Sequence, residues 1–317
     1  MSENITLAAL IIGVLHSGIR LATPYLYAAL GETFGQRAGV LNLGVEGIML
    51  LGAFTSFFTV FKTQNLLLGL LVGILTGAAM GLIMAIVSVS LQAEQGISGI
   101  GLYLFGLGLS GLLFKTQLGG VQGVNGFSQL NFCLPTTARC LSNIPFFGEV
   151  LFHYSVLVYG AFLLVPFSWW ILNKTRWGLI IRAVGQNPTA ADSLGISVVR
   201  VRYACLIWGG ALAGVAGTSM SIALLNVFQE GITNGLGFIA VALVYFGGWS
   251  PIGVMFGTLL FSTVNALQLW AQVANLNIPS DIAVMMPYVL TVIALALPFR
   301  RSGKPAALAV PFQRGSN

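Results

Sequence analysis

The stretch "LLLGLLVGILTGAAMGLIMAIVSVSL", residues 66 to 91, contains no charged side chain. A helix needs about 20 consecutive apolar residues to cross the hydrocarbon core of a bilayer, and this stretch is longer than that. It therefore predicts a transmembrane helix. Similar runs occur along most of the 317 residues, of which 56% are hydrophobic and 7% charged. The composition predicts an all-α, polytopic membrane protein.

Nine runs in the sequence are long and apolar enough to be membrane spans. They are 5 to 30, 40 to 61, 66 to 91, 96 to 114, 151 to 172, 203 to 224, 232 to 247, 250 to 273 and 281 to 299. An odd number of spans places the two ends of the chain on opposite sides of the membrane.

The distribution of lysine and arginine predicts the orientation, since these residues are enriched in cytoplasmic loops. With the C-terminus in the cytoplasm, ten of them lie on the cytoplasmic side and three, Lys62, Lys115 and Arg139, lie outside. This predicts an N-terminus outside, an outer loop at 115 to 150 and a cytoplasmic loop at 173 to 202. The basic residues sit at the ends of apolar runs and form no basic face, so we expect no nucleic-acid partner.

Spans one to four and six to nine run in opposite directions, which is the layout of inverted repeats. The second span of each set begins with glycines, in "AGVLNLGVEGIMLLG" (38 to 52) and "NGLGFIAVALVYFGG" (234 to 248). Glycine-interrupted segments at matching places in two halves indicate a translocation path, here with Gly235, Gly237 and Phe238. Close helix packing by small residues is the alternative interpretation.

Charged groups within spans are expensive and need a partner or a wet cavity. Arg20 and Glu46 are such groups, and Glu32 is a third candidate. Asn42 and Glu46 are four residues apart, a spacing that puts both on one helix face, where they could bind the hydroxyls of a polar solute. Alternatively, Glu46 pairs with Arg20 and locks two helices together. Both interpretations stay open.

Catalytic motifs are absent from the sequence, which contains no P-loop, no G-x-S-x-G elbow and no H-E-x-x-H. We therefore expect a non-catalytic chain without a cofactor or metal of its own. Cys133 and Cys140 lie seven residues apart in the outer loop. They could form a disulfide if that loop faces an oxidising compartment.

The cytoplasmic loop contains a polar passage, "GQNPTAADSLGISVVRVR" (185 to 202), that predicts a short helix. Asn187 suits the N-cap, Pro188 the first helical position and Gly195 the left-handed residue after the helix. Such a helix is too short to be stable alone in water. It therefore predicts docking onto a soluble subunit.

Three stretches resemble the permease subunits of bacterial ABC importers, in the branch that handles ribose, nucleosides and branched-chain amino acids. They are "GETFGQRAGVLNLGVEGIMLLGAF" (31 to 54), "RAVGQNPTAADSLGISVVRVR" (182 to 202) and "GLGFIAVALVYFGGWSPIG" (235 to 253). The chain resembles most the nucleoside and simple-sugar subgroup, because "NLGVEG" stands where ribose-type relatives tend to carry Asp-Leu-Ser. Gln36 departs from the pattern, since the family often has glutamate there.

The resemblance implies a type II-like permease that forms the path for a nucleoside or simple sugar in a bacterial inner membrane. It implies three partners: a cytoplasmic ABC ATPase that binds ATP, a second permease subunit of similar fold that completes a heterodimer, and an extracytoplasmic solute-binding protein. The residues implied to dock on the ATPase are Arg182, Asn187, Pro188, Ala190, Ala191, Asp192, Gly195 and Ile196. A branched-chain amino acid as solute, a secondary transporter and a membrane enzyme are the alternatives.

Overall fold

The computed structural model describes residues 7 to 120, 123 to 128, 152 to 273 and 303 to 313, with a few isolated positions between 285 and 293. Apart from one isolated bridge, the secondary structure of these residues is helical. The helices are α1 (Leu7–Arg37), α2 (Val45–Thr63), α3 (Leu66–Ala85), α4 (Gln95–Gln117), α5 (Val156–Lys174), α6 (Arg176–Gln186), α7 (Pro188–Ser193), α8 (Val198–Ser219), α9 (Leu236–Phe246) and α10 (Pro251–Val273). Single π-helical turns extend α3 to Ser90 and α8 to Leu224.

Six helices in the described part of the chain are long and apolar enough to cross a membrane: α2, α3, α4, α5, α8 and α10. These helices confirm the prediction of an all-helical chain with several membrane spans. Helix α1 has 31 residues, which corresponds to about 46 Å. Its apolar character is interrupted by His16, Arg20 and Pro24.

The run from 232 to 247 is not a full span. Its helix, α9, contains only 11 residues and is therefore about 16 Å long, against roughly 30 Å of hydrocarbon. The residues before it form turns, with Gly231 and Gly235 at positive φ. The prediction of a complete span here was wrong, because an apolar run alone does not reveal where backbone turns interrupt the helix. The last predicted span, 281 to 299, lies outside the continuously described residues.

Helix α8 lies at the centre of the structure and packs against α1, α2 and α3. Its contact with α3 is made by glycines four residues apart: Gly73, Gly77 and Gly81 on α3 face Gly210 and Gly214 on α8. A Cβ atom on Gly77 would lie 2.2 Å from the carbonyl oxygen of Gly210. The two backbones therefore touch directly, as small residues allow in membranes.

Replacing Gly77 with alanine is expected to lower the free energy of unfolding by about 1 to 3 kcal/mol, because the added methyl group overpacks the α3–α8 contact. The matched control is Gly108→Ala on α4, where an added Cβ meets no atom within 4 Å. Alanine there should be neutral or slightly stabilising, since it favours a helix over glycine. Thermal unfolding of both variants in detergent provides the comparison. Equal shifts in the two midpoints would contradict the packing argument.

Candidate translocation and coupling sites

The carboxylate of Glu46 joins the beginnings of two helices. Glu46 lies in the first turn of α2 and is 2% exposed. Its Oε1 accepts hydrogen bonds from the Thr233 hydroxyl (2.6 Å) and the Gly235 N–H (2.8 Å), and its Oε2 accepts one from the Gly237 N–H (2.6 Å). The carboxylate thus caps α9, whose N-terminus carries unpaired N–H groups and the positive end of the helix dipole.

Glycine is required on the α9 side of this contact. Gly235 has φ +86°, a left-handed conformation that other residues rarely adopt. A Cβ on Gly237 would lie 2.5 Å from the backbone nitrogen of Glu46. The structure therefore brings together three of the residues predicted to line a path. Phe238 follows them and packs edge-to-face on Tyr103, with ring centroids 5.2 Å apart.

The pairing of Arg20 with Glu46 is not present in the structure. Nη2 of Arg20 donates instead to the carbonyl oxygen of Leu224, at 2.8 Å, at the end of the π turn that follows α8. Glu46 is already satisfied by the three donors of the α9 region. The pairing interpretation is therefore wrong. The positive partner of Glu46 is the N-terminus of α9, whose backbone N–H groups cannot be recognised in the sequence as a charged residue can.

Asn42 and Glu46 do not share a helix face, because α2 begins only at Val45. The Asn42 side chain accepts a hydrogen bond from the Gly44 N–H (2.9 Å), and its backbone N–H donates to Oε1 of Glu32 (3.0 Å). The side chains of Asn42 and Glu46 are both buried, each 2% exposed. The Asn42 side chain therefore holds the segment before α2, whereas the Glu46 carboxylate holds the beginning of α9.

A second polar network at the end of α1 includes Gln36, the residue that departs from the family pattern. Its amide nitrogen donates to Glu32 (3.1 Å), and its amide oxygen accepts from Nε1 of Trp249 (2.8 Å). Nε of Arg37 donates to the carbonyl oxygen of Trp249 (2.7 Å). An amide supplies both the donor and the acceptor here. The network links α1 to the turn before α10. Its place was indicated by the charge of Glu32 at membrane depth and by the resemblance of residues 31 to 37 to the family motif.

Arg20 faces a separate small cavity of about 130 Å³. The cavity is lined by polar side chains that include Thr23, Ser155, Ser219 and Asn226. Along α1, Arg20 lies about 26 Å from Arg37, so this cavity is near the end of the helices opposite to α7. It offers polar groups to a solute but is smaller than typical ligand pockets of roughly 300 to 1,000 Å³.

Of the predicted outer loop, 115 to 120 and 123 to 128 are described. The second of these segments lies beside the end of α8, where the N–H of Phe127 donates to the carbonyl oxygen of Ile222 (3.1 Å). Phe127 also lines the cavity of Arg20. Cys133, Arg139 and Cys140 lie outside the described residues.

The short helix α7 has the capping that the sequence predicts. Oδ1 of Asn187 accepts a hydrogen bond from the Ala190 N–H (3.0 Å), and Pro188 is the first helical residue. Gly195 follows the helix with φ +82°. The N–H of Ile196 donates to the carbonyl oxygen of Ala191 (3.1 Å), which closes the C-terminal end.

The two faces of α7 have different environments. Ala191 is buried and packs with Val184 and Val198, so its side chain is unavailable to a docked protein. Ala190 is exposed, and Leu194, which the sequence reasoning missed, is 81% exposed. The exposed face of α7 thus carries Ala190 and Leu194 but not Ala191. The sequence of α7 does not predict which of its residues are exposed, because a helix of 6 residues is too short to show an apolar periodicity.

The other predicted coupling residues differ in their surroundings. Arg182 donates through Nε to the carbonyl oxygen of Gly178 in its own helix, α6 (3.3 Å). Ile196 packs inward against the same apolar cluster as Ala191, and Asp192 is half-buried.

A C-terminal segment, residues 303 to 313, lies on the same face as α7 and joins α6 to the loop after α1. The N–H of Ala307 donates to the carbonyl oxygen of Gly185 (2.9 Å), and the N–H of Ala309 donates to that of Gly39 (3.1 Å). The buried guanidinium of Arg202 also connects the end of α1 with the C-terminal segment. Its Nε donates to the carbonyl oxygen of Ala38 (3.3 Å), and its Nη1 donates to that of Val310 (3.0 Å). The segment was not predicted, since its partners are remote in sequence.

Replacing Arg202 with methionine is expected to destabilise the protein by about 2 to 3 kcal/mol. The aliphatic length is kept, but two carbonyl oxygens lose a charged donor. Arg200→Met is the matched control two residues earlier, where the side chain is exposed. Unfolding midpoints measured by heating in detergent compare the two. A control as destabilised as Arg202→Met would remove the role of the C-terminal segment.

Comparison with known proteins places this geometry among transport proteins. The chain is 40% identical over 265 residues to TsgC13 of Haloferax volcanii, a permease protein provisionally named for glucose, covering 83% of this chain and 79% of that protein. It is 36% identical over 301 residues to the nucleoside ABC transporter permease protein NupC of Lactococcus lactis (92% and 93%). It is 35% identical over 305 residues to the guanosine ABC transporter permease protein NupQ of Bacillus subtilis (93% and 94%).

No solved structure matches the chain. The family model described as the branched-chain amino acid transport system / permease component matches residues 14 to 295. This range includes the segment before α2, the Glu46 contact, α7 and the central helix α8. The chain belongs to this permease family.

Proposed function

We propose that the chain is one transmembrane subunit of an ATP-driven importer and forms part of the path for a nucleoside or a simple sugar. The observation that carries the proposal is α7, a capped short helix that exposes Leu194 at the tip of a loop between membrane helices. The permease names of relatives that cover nearly the whole chain support the same function. The chain itself is non-catalytic, and ATP binds to the partner ATPase.

The proposed topology has nine crossings of the membrane, one of them made by the short helix α9 together with the turns before it, with the N-terminus outside and the C-terminus in the cytoplasm of a bacterial cell. The contact of residues 303 to 313 with α6 supports a common side for the C-terminal segment and α7. Helices α2 and α9, which begin at one shared carboxylate, support two inverted halves meeting near the centre of the membrane.

Three partners complete the proposed transporter. A cytoplasmic ABC ATPase binds the exposed face of α7, a second permease of similar fold completes the path, and an extracytoplasmic binding protein delivers the solute. The small volume of the Arg20 cavity supports a path shared with a second subunit, since about 130 Å³ is too small for a nucleoside.

The experiment is uptake by proteoliposomes that contain this chain with its partner subunits and binding protein. Labelled guanosine, glucose and leucine are compared, each with ATP or without it on the ATPase side. We expect ATP-dependent uptake of guanosine or glucose and no uptake of leucine. Uptake that follows an ion gradient in the absence of ATP would identify a secondary transporter instead, and uptake of leucine alone would overturn the substrate class.

A further inference from the structure

A large apolar groove lies on the same side of the protein as α7, away from Glu46 and from the Arg20 cavity. It has a volume of about 1,080 Å³ and lies between α5, α6 and α8. Three tryptophans line it, Trp170, Trp177 and Trp208, and each of them is exposed. This surface is too apolar to face water and too open to belong to the core.

The surrounding elements place the groove at the boundary between hydrocarbon and water. Helix α5 ends at Lys174, and α6 begins with Arg176 and Trp177. Helix α6 is amphipathic and exposes Trp177 and Leu179, as expected of a helix lying in the plane of the membrane surface. Tryptophan and basic residues are enriched at this depth.

One charged side chain lines the groove. Arg200, in the first turn of α8, is exposed and forms no salt bridge with the residues that the structure describes. The lining contains no acidic residue. A cation at the rim of an apolar groove is complementary to a molecule with a negatively charged head group and an apolar tail.

We propose that this groove binds an anionic phospholipid, with an acyl chain against Trp170 and Trp208 and the phosphate on Arg200. The lipid belongs to the leaflet on the side of α7, which is the cytoplasmic leaflet in the proposed topology. A second copy of the chain is the less suitable occupant, because a symmetric contact at this groove would bring the two Arg200 side chains together. The binding requires neither ATP nor solute, so it is independent of the transport function.

The test uses the full chain in nanodiscs of phosphatidylcholine with a small fraction of lipid brominated on its acyl chains. Bromine quenches nearby tryptophan fluorescence, and quenching by brominated phosphatidylglycerol is compared with that by brominated phosphatidylcholine. We expect the anionic lipid to be preferred about fivefold, the contribution of one basic residue at a membrane surface. Equal quenching by the two lipids, or none by either, would overturn the proposal.

Three variants separate the groove from general surface charge. Arg200→Gln should remove the preference for the anionic lipid, while Arg176→Gln should preserve it, because Arg176 is exposed at the same boundary but does not line the groove. Ala204→Phe fills the groove and should weaken quenching by both lipids. The same loss in Arg176→Gln and Arg200→Gln would reduce the effect to non-specific attraction and reject the site, as would unchanged quenching in Ala204→Phe.

Discussion

Replacing Glu46 with glutamine is expected to abolish most ATP-driven uptake and to lower the free energy of unfolding by about 3 kcal/mol. The carboxylate accepts three hydrogen bonds, from the Thr233 hydroxyl and from the N–H groups of Gly235 and Gly237. An amide nitrogen in place of one oxygen would face donors with a donor. At least one buried N–H would then lose its acceptor, and hydrogen bonds to an ionised group contribute about 1.5 to 3 kcal/mol each.

The matched control for this variant is Glu94→Gln. Glu94 also caps a helix, since it accepts hydrogen bonds from the N–H groups of Gly96 and Ile97 at the start of α4, but it is exposed. Water can replace those bonds and the amide keeps one acceptor oxygen, so the control should cost much less stability than Glu46→Gln. The measurement is thermal unfolding together with uptake, corrected for the folded fraction.

Combining Glu46→Gln with Arg20→Gln distinguishes the two sequence interpretations. The structure gives Arg20 a separate partner, the carbonyl oxygen of Leu224, so the effects of the two substitutions should add. Rescue of the single variant by the second substitution would restore the pairing hypothesis. A Glu46→Gln protein of normal stability with no uptake would favour direct contact with solute over the capping of α9.

Replacing Leu194 with aspartate is expected to reduce uptake and solute-stimulated ATP hydrolysis more than tenfold, with little change in the stability of the permease. Leu194 contributes little to the fold, because its side chain is 81% exposed. If the ATPase buries it, the aspartate places an unpaired charge in the interface. Such a change can cost 2 kcal/mol or more of binding free energy, which exceeds a tenfold change in affinity.

Val310→Asp serves as the control for Leu194→Asp, since Val310 is also apolar and exposed and lies in the C-terminal segment of the same face. It should retain the ATPase on copurification. Two measurements are required: copurification of the ATPase with the permease, and ATP hydrolysis with loaded binding protein in proteoliposomes. Normal stimulation in Leu194→Asp would show that α7 is only a connecting loop. Ala191→Trp is unsuitable for this purpose, because Ala191 packs inside the chain.

The features that the sequence predicted correctly depend on neighbouring residues. The run from 66 to 91 predicts a membrane helix because burial in lipid depends on the composition of one segment. Asn187, Pro188 and Gly195 predict the limits of α7 because capping interactions connect residues three or four positions apart. Their types and spacing are readable without knowledge of the rest of the fold.

The features that were missed depend on contacts between distant parts of the chain. The donors of Glu46 are remote in sequence, and two of them are backbone N–H groups, which every residue except proline carries. Arg20, the one basic residue within a predicted span, was therefore the apparent partner. Similarly, the inward direction of Ala191 and the exposure of Leu194 follow from how α7 rests on α8 and the C-terminal segment.

Composition and capping act over short stretches, so the residues alone predict a helical membrane protein with a capped helix in a polar loop. Only the packed helices show that Glu46 caps the incomplete span α9 and that α7 exposes Leu194. Both depend on which helix ends meet, and that is set by the backbone contacts of glycines such as Gly77 and Gly237 across the helix interfaces. A residue's own neighbours in the chain do not reveal these contacts, because they form only when the helices pack.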